Sequence, residues 1–230
     1  NRKGGGNASL TVRAGGTDMS GGPLTTGWIV DLTKHINHLE IDPVAKTATV
    51  EMGAYFRDIE TAAQAHGLMF APYPSSHLLC GIGGMIGNNA SGEKSLRHGA
   101  TSDNVLELEI ILADGSVRRI VPKQLKDATL PDEKVLIDLY RQFGTALKKA
   151  TGSVKKAASG YRLEKTVQKN TLNTVPLFVG SQGTLGIVTK AVLKLVPIPE
   201  HTDLLLVSAT KLTDLSHIVK TVFEHNPEAL

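Results

Sequence analysis

The residues with the clearest chemical potential are Ala14-Gly15-Gly16-Thr17-Asp18-Met19-Ser20-Gly21-Gly22. They follow a β-like run over residues 10–13 and precede another over residues 28–32. Glycine takes positive φ without steric cost and lets a ligand come close to the backbone. Successive N–H groups in such a turn form a nest that favours an anion. The hydroxyls of Thr17 and Ser20 add donors. These residue types suit a phosphate cradle, although a lone Gly-rich stretch is equally well read as a surface turn. Two more such stretches weigh against the bland reading. Residues 75–99 contain Gly81-Ile82-Gly83-Gly84-Met85-Ile86-Gly87-Asn88-Asn89-Ala90-Ser91-Gly92, and residues 180–189 read Gly-Ser-Gln-Gly-Thr-Leu-Gly-Ile-Val-Thr. A glycine-to-helix entry at Gly83-Gly84 places free N–H groups at a helix start. Three Gly-rich segments at strand edges can wrap an extended ligand that carries several phosphates and rings.

Common alternatives fail on spacing. A dinucleotide fingerprint needs G-x-G-x-x-G running straight into a helix, whereas a strand follows the first loop. A Walker A loop needs Gly-Lys-Ser or Gly-Lys-Thr, which the chain lacks. No His, Cys or acidic cluster has metal-ligand spacing, so no metal is expected. Cys80 is the only cysteine, which excludes an internal disulfide and fits a reducing compartment. A formal charge of +3 and 4% aromatic residues argue against a nucleic-acid platform. No apolar run is long enough to span a membrane, and no signal peptide is visible. The expected location is cytoplasmic, or membrane-peripheral in the full-length protein. Because the chain starts at Asn1 and stops within an element, it is expected to be part of a longer protein.

The elements that must position these loops follow from periodicity. Alternating or apolar runs predict strands at residues 29–32, 39–42 and 47–52. Phe56, Ile59, Ala62 and Ala63 predict a helix over residues 55–66, closed by Gly67. Residues 68–71 read as extended. Strands are predicted at residues 105–112 and 117–121 across an Asp114-Gly115 turn. Residues 122–132 read as loop. A helix is predicted over residues 135–151 with Leu136, Leu139, Tyr140, Phe143 and Leu147 on one side. Lys148, Lys149, Lys155 and Lys156 read as a solvated basic face. Strands are expected at residues 177–179, 187–196 and 204–209, with a linker at Pro197 and Pro199. A helix is expected over residues 212–225.

The loops and strands together resemble the FAD-binding domain of the vanillyl-alcohol oxidase and p-cresol methylhydroxylase (PCMH) superfamily. The branch they resemble most is the FAD-linked oxidases: glycolate oxidase, D-lactate dehydrogenase and D-2-hydroxyglutarate dehydrogenase. The resemblance spans about residues 10 to 199. The Arg-Gly-Gly-Gly-Thr…Ser-Gly loop of that branch is matched by residues 13–21. Its Ile-Gly-Gly…Asn-Ala-Ser-Gly block is matched by residues 82–92, followed by Arg97-His98-Gly99 where Arg-Tyr-Gly is usual. Its Val-Leu-x-Leu-Glu…Ala-Asp-Gly strand pair is matched by residues 105–115. Its Gly-Ser-Glu-Gly-Thr-Leu-Gly-Ile-Val-Thr signature is matched by residues 180–189, with Gln182 in place of Glu.

The resemblance implies an α+β, two-lobed PCMH-type fold, with a small mixed sheet and a larger, mostly antiparallel sheet flanked by helices. Residues 1–199 would form this domain, incomplete at its N-terminus, and residues 200–230 would begin a truncated substrate domain. It implies that Ala14, Gly15, Gly16, Thr17, Asp18, Met19 and Ser20 carry the FAD pyrophosphate. Pro74, Gly83, Gly84, Asn88, Ser91, Gly92 and Gly99 would line the flavin and ribityl path. Gly186, Ile187 and Val188 would reach the nucleotide, Ile187 or Val188 through its backbone. The first loop has no His, and Cys80 reads as a small buried residue, so the expected FAD is non-covalent. His98 in place of Tyr would alter flavin contacts or sit as a neutral, hydrogen-bonded histidine. His77 lies near the same path without assigned chemistry. The implied reaction is oxidation of a 2-hydroxy acid by hydride transfer to flavin N5. An alditol, lactone or aromatic-alcohol oxidase and a non-catalytic nucleotide-binding module are the alternatives. The groups that clamp and deprotonate substrate lie mostly in the following domain of the resembled enzymes, so no catalytic residue is named. The fragment alone is expected to hold FAD weakly and turn over poorly. The electron acceptor is left open.

Overall fold

The computed structural model describes residues 9–150, 158 and 160–229. In chain order the strands are β1 (Leu10–Arg13), β2 (Trp28–Asp31), β3 (Leu39–Asp42), β4 (Thr47–Glu51), β5 (Leu68–Met69), β6 (Val105–Ile111), β7 (Val117–Ile120), β8 (Lys123–Gln124), β9 (Val167–Gln168), β10 (Thr171–Leu172), β11 (Ile187–Lys194) and β12 (Val196–Pro197). The helices are α1 (Phe56–Gln64), α2 (Ile82–Gly87), α3 (Ser95–His98), α4 (Pro131–Ala150), α5 (Val175–Phe178) and α6 (Leu212–Glu224).

Period-two alternation builds the main sheet, whose order is β3-β4-β11-β6-β7 with every pairing antiparallel. Ala48 and Val50 of β4, Leu108 and Ile110 of β6, and Ala191 and Leu193 of β11 are all buried. Register puts Ala191 opposite both Val50 and Leu108, so one face is continuously apolar. In the next row Lys190 lies opposite Glu51 and Glu109, and Glu109 lies opposite Arg119. Opposite charges directly across strands support the exposed face.

Helix α1 buries Phe56, Ile59 and Ala63 on one stripe of the same core, and Gly67 beyond it takes φ +67°. Helix α2 buries Ile82, Met85 and Ile86. It lies almost in backbone contact with the end of the sheet: the Gly83 N–H donates to the Met52 carbonyl at 3.0 Å, and a Cβ at Gly83 would sit 2.7 Å from that oxygen. Only glycine permits that approach. Strands β1 and β2 form a parallel pair, linked by the first Gly-rich loop. Two small antiparallel sheets complete the α+β architecture, β8-β10-β9 and β12-β5. A second, smaller core of Ala128, Ile137, Val167 and Leu172 joins α4 to β9 and β10.

Four expectations change. Residues 177–179 are not a strand: α5 occupies this stretch, with Pro176 in its first turn and the Val175 N–H bonded to Asn173 Oδ1 at 3.1 Å. Proline at a helix start forfeits no intrahelical bond. Residues 204–209 are not a strand either; they are irregular, with Leu204, Leu205 and Leu206 exposed, because no neighbouring strand among the described residues takes their backbone groups. The expected loop over residues 122–132 holds strand β8, paired with β10, and the start of α4 at Pro131, and α4 buries Glu133, Ile137 and Gly144. Leu139 and Phe143 therefore point away from the core and are exposed. The expected linker at Pro197 is part of β12, which pairs with β5 through Val196 and Met69. Lys155 and Lys156 of the basic cluster lie outside the described residues.

Candidate cofactor cleft

Glycine content and strand ends bring the three Gly-rich segments to one cleft of about 550 Å³. That size falls in the usual range for small-molecule sites. The first loop contributes Ala14, Gly15, Gly16, Thr17, Asp18 and Met19. Pro74, Gly83, Gly84, Asn88 and Ser91 come from the second segment, and Gly186, Ile187 and Val188 from the third.

The first loop leaves β1 and packs directly on the start of α2. A Cβ at Gly15 would meet the Leu79 carbonyl oxygen at 2.5 Å and the Gly81 nitrogen at 2.8 Å. Gly16 takes φ +67°, and the Arg13 guanidinium folds over it. Among the described residues, the N–H groups of residues 14–19 have no hydrogen-bond acceptor. Six consecutive unpaired donors beside an arginine form a field suited to an anion.

The Asp18 carboxylate accepts from Ser20 N–H at 3.2 Å, Ser20 Oγ at 2.7 Å, Gly22 N–H at 2.8 Å and Asn88 Nδ2 at 3.0 Å. The Ser20 hydroxyl above all, then the Gly22 N–H, holds this carboxyl below the usual range. Asp31 at the end of β2 is lowered in the same way, first by the Thr33 hydroxyl.

The third segment docks on the far end of α2. The Gly180 N–H donates to the Ile86 carbonyl at 2.8 Å and the Gln182 N–H to the Gly87 carbonyl at 3.0 Å. Gln182 takes φ +53° to do so. Ile187 and Val188 border the cleft while running in β11 opposite Ile111 and Ile110.

Three expected residues lie off the cleft lining. Ser20 spends its N–H and hydroxyl on Asp18. Gly92 is pressed against Tyr73, whose carbonyl oxygen would lie 1.8 Å from an added Cβ. Gly99 makes a turn at φ +78° beside Asp103. Packing and turn geometry account for both glycines.

Cys80 borders the cleft as a buried free thiol, pushed up to about 11 by burial. It stays neutral at physiological pH and is a poor nucleophile. His98 sits 3.6 Å from Glu228, and burial lowers its pKa below the ordinary value. His77 packs on Phe56 and Tyr73, with Nδ1 3.7 Å from Glu60. Among the described residues no group of three His, Cys, Asp or Glu could hold a metal ion.

Sequence reasoning missed the bond from Asp18 to Asn88 and the seat of Gly15 on residues 79–81. Neither leaves a trace in local periodicity. It also missed Met52, Phe178 and Arg13 as lining residues.

Residues 6–120 match the FAD binding domain family, which is half of the chain, and the chain belongs to that family. It is 37% identical over 199 residues to the glycolate oxidase subunit GlcD of Bacillus subtilis, covering 86% of this chain and 34% of that protein. It is 30% identical over 231 residues to the D-2-hydroxyglutarate dehydrogenase of Pseudomonas putida, covering 95% of this chain and 23% of that protein. The chain thus spans about a third and about a quarter of the length of these two relatives. Among solved structures, alkyldihydroxyacetonephosphate synthase superposes with a TM-score of 0.55 at 18% identity, over 85% of this chain and 30% of that one. That likeness concerns the fold.

The residues present fit the family's cofactor. The unpaired N–H row suits a pyrophosphate, and Gly84 and Gly183 present backbone where an added Cβ would meet nothing within 4 Å. No helix among the described residues is long and apolar enough to cross a membrane.

Proposed function

We propose that this chain supplies the FAD site of a flavin-dependent oxidoreductase that oxidises a 2-hydroxy acid of the lactate, glycolate or 2-hydroxyglutarate class. The observation that carries this reading is the row of six unpaired N–H groups, residues 14–19, in a cleft shared by all three Gly-rich segments. The similarity to glycolate oxidase and D-2-hydroxyglutarate dehydrogenase sequences supports the substrate class.

In this reading residues 14–19 bind the pyrophosphate through backbone N–H groups, with Arg13 adding positive charge. Glycines 84 and 183 admit the cofactor to close backbone contact, Gly83 seats α2 on Met52 beside it, and the apolar lining at Met52 and Phe178 excludes water. Bound there, FAD supplies the two-electron redox chemistry, while the protein supplies orientation and electrostatics. The cofactor is held non-covalently: the first loop has no histidine, and the Cys80 thiol is buried and neutral. Substrate-binding groups and the proton-accepting base come from outside these residues, and the full-length protein is cytoplasmic or membrane-peripheral.

The test is the visible spectrum of the full-length protein. Flavin absorbance that bleaches on anaerobic addition of D-lactate, glycolate or D-2-hydroxyglutarate is the expected result. A flavin that none of the three reduces, but an alditol or aromatic alcohol does, would replace the substrate class.

A further inference from the structure

The first loop is anchored to both ends of α2. At the start, Gly15 sits on the backbone of Gly81, the residue that caps the helix. At the end, Asn88, the residue that closes the helix, donates its side-chain Nδ2 to Asp18 Oδ1 at 3.0 Å across 70 positions of sequence. From Gly81 to Asn88 a helix rises about 10 Å. The first loop is therefore held at two points, with Gly16 between them at φ +67°, and its N–H groups find no acceptor among the described residues.

The Asp18 carboxylate is also fully engaged. Oδ1 accepts from Asn88 Nδ2 and Ser20 N–H, and Oδ2 from Ser20 Oγ and Gly22 N–H. Two oxygens offer about four lone-pair sites, so none is left for a ligand. Gly22 permits the arrangement, because a Cβ there would meet Oδ2 at 2.8 Å.

We propose that the Asp18–Asn88 hydrogen bond is a strut that holds residues 14–19 in their anion-receiving conformation. The side chains of Asp18 and Asn88 then position the loop and do not contact the cofactor themselves. The proposal rests on the FAD reading above, but it makes its own prediction of sign. A bystander carboxylate beside a pyrophosphate would repel it, so its removal would tighten binding. A strut, when removed, weakens binding.

Two titrations on the full-length protein decide this, FAD followed by flavin fluorescence and ADP followed by calorimetry. Asn88→Asp sets two carboxylates face to face and should weaken both ligands by roughly tenfold or more, the scale of a lost charge-assisted bond. Combining it with Asp18→Asn removes the like-charge clash and restores one donor and one acceptor at this contact, while leaving one backbone N–H of Ser20 or Gly22 without its acceptor, so the double variant should recover part of the loss. A merely local structural role would give no such rescue. Wild-type affinity in Asn88→Asp, or a double variant no better than the single, overturns the strut. If the aspartate variant does not fold, Asp18→Ala, Asn88→Ala and their combination serve instead. The losses in thermal stability without ligand should be strongly non-additive; additive losses, or tighter ADP binding by Asp18→Ala, overturn the proposal. Failure of the wild-type chain to bind FAD would count against the functional reading, while the ligand-free cycle would still judge the strut.

Discussion

Glycines with different surroundings make opposite predictions at the scale of single residues. At Gly15 the obstacle to a Cβ is backbone, Leu79 O at 2.5 Å and Gly81 N at 2.8 Å, which cannot swing aside. Gly15→Ala should lift the first loop off α2 and cost about 1–3 kcal/mol, the range of overpacked sites. Gly84 is helical and an added Cβ meets nothing. Gly84→Ala should leave the ligand-free fold unchanged or more stable by about 0.5–1 kcal/mol, since alanine loses less backbone freedom than glycine. Its methyl group would nevertheless enter the cleft and weaken FAD retention. Thermal unfolding paired with FAD titration of both variants separates the roles. Equal behaviour of the two would mean that the cleft is misplaced. Sequence alone treats both as members of one Gly-rich block; only their neighbours tell them apart.

At the scale of elements, legibility followed how local the determining forces are. Strands β3, β4, β6, β7 and β11 and helix α1 were readable because each carries its own apolar period and its own turn residues, such as Asp114-Gly115 and Gly67. Residues 204–209 have the composition of a strand but form none, since a strand is completed by its neighbour and composition does not supply one. At α5, Asn173 and Pro176 set the helix start in the structure, whereas the expectation of a strand over residues 177–179 took no account of them. The apolar stripe read on α4 was displaced. Its burial is set by the second core, which accepts Ile137 and leaves Phe143 in solvent. Ile137→Ala should therefore cost about 2–4 kcal/mol, as for other buried aliphatic truncations. Phe143→Ala should fall within the small change typical of surface positions, about 0.5 kcal/mol. Urea unfolding of the two variants checks this, and the reverse order would restore the sequence-based stripe.

At the scale of the whole molecule, the five-stranded sheet and α2 act as a frame on which three loops from distant parts of the chain converge. The cleft was legible as three separate Gly-rich motifs and as a family resemblance. Its construction was not, because the contacts that assemble it join the first loop to residues 79–88 and the third segment to the end of α2. The central claim is that these loops form a non-covalent FAD site, and flavin association measures it most directly. Equilibrium dialysis of the purified full-length protein against FAD should give one flavin per chain, all of it released on denaturation. Gly16→Val, which places a β-branched residue at φ +67° against Arg13, should abolish that association while far-ultraviolet circular dichroism still reports the sheet. A wild-type chain that takes up no flavin, or a Gly16→Val chain that binds as tightly as wild type, would contradict the account.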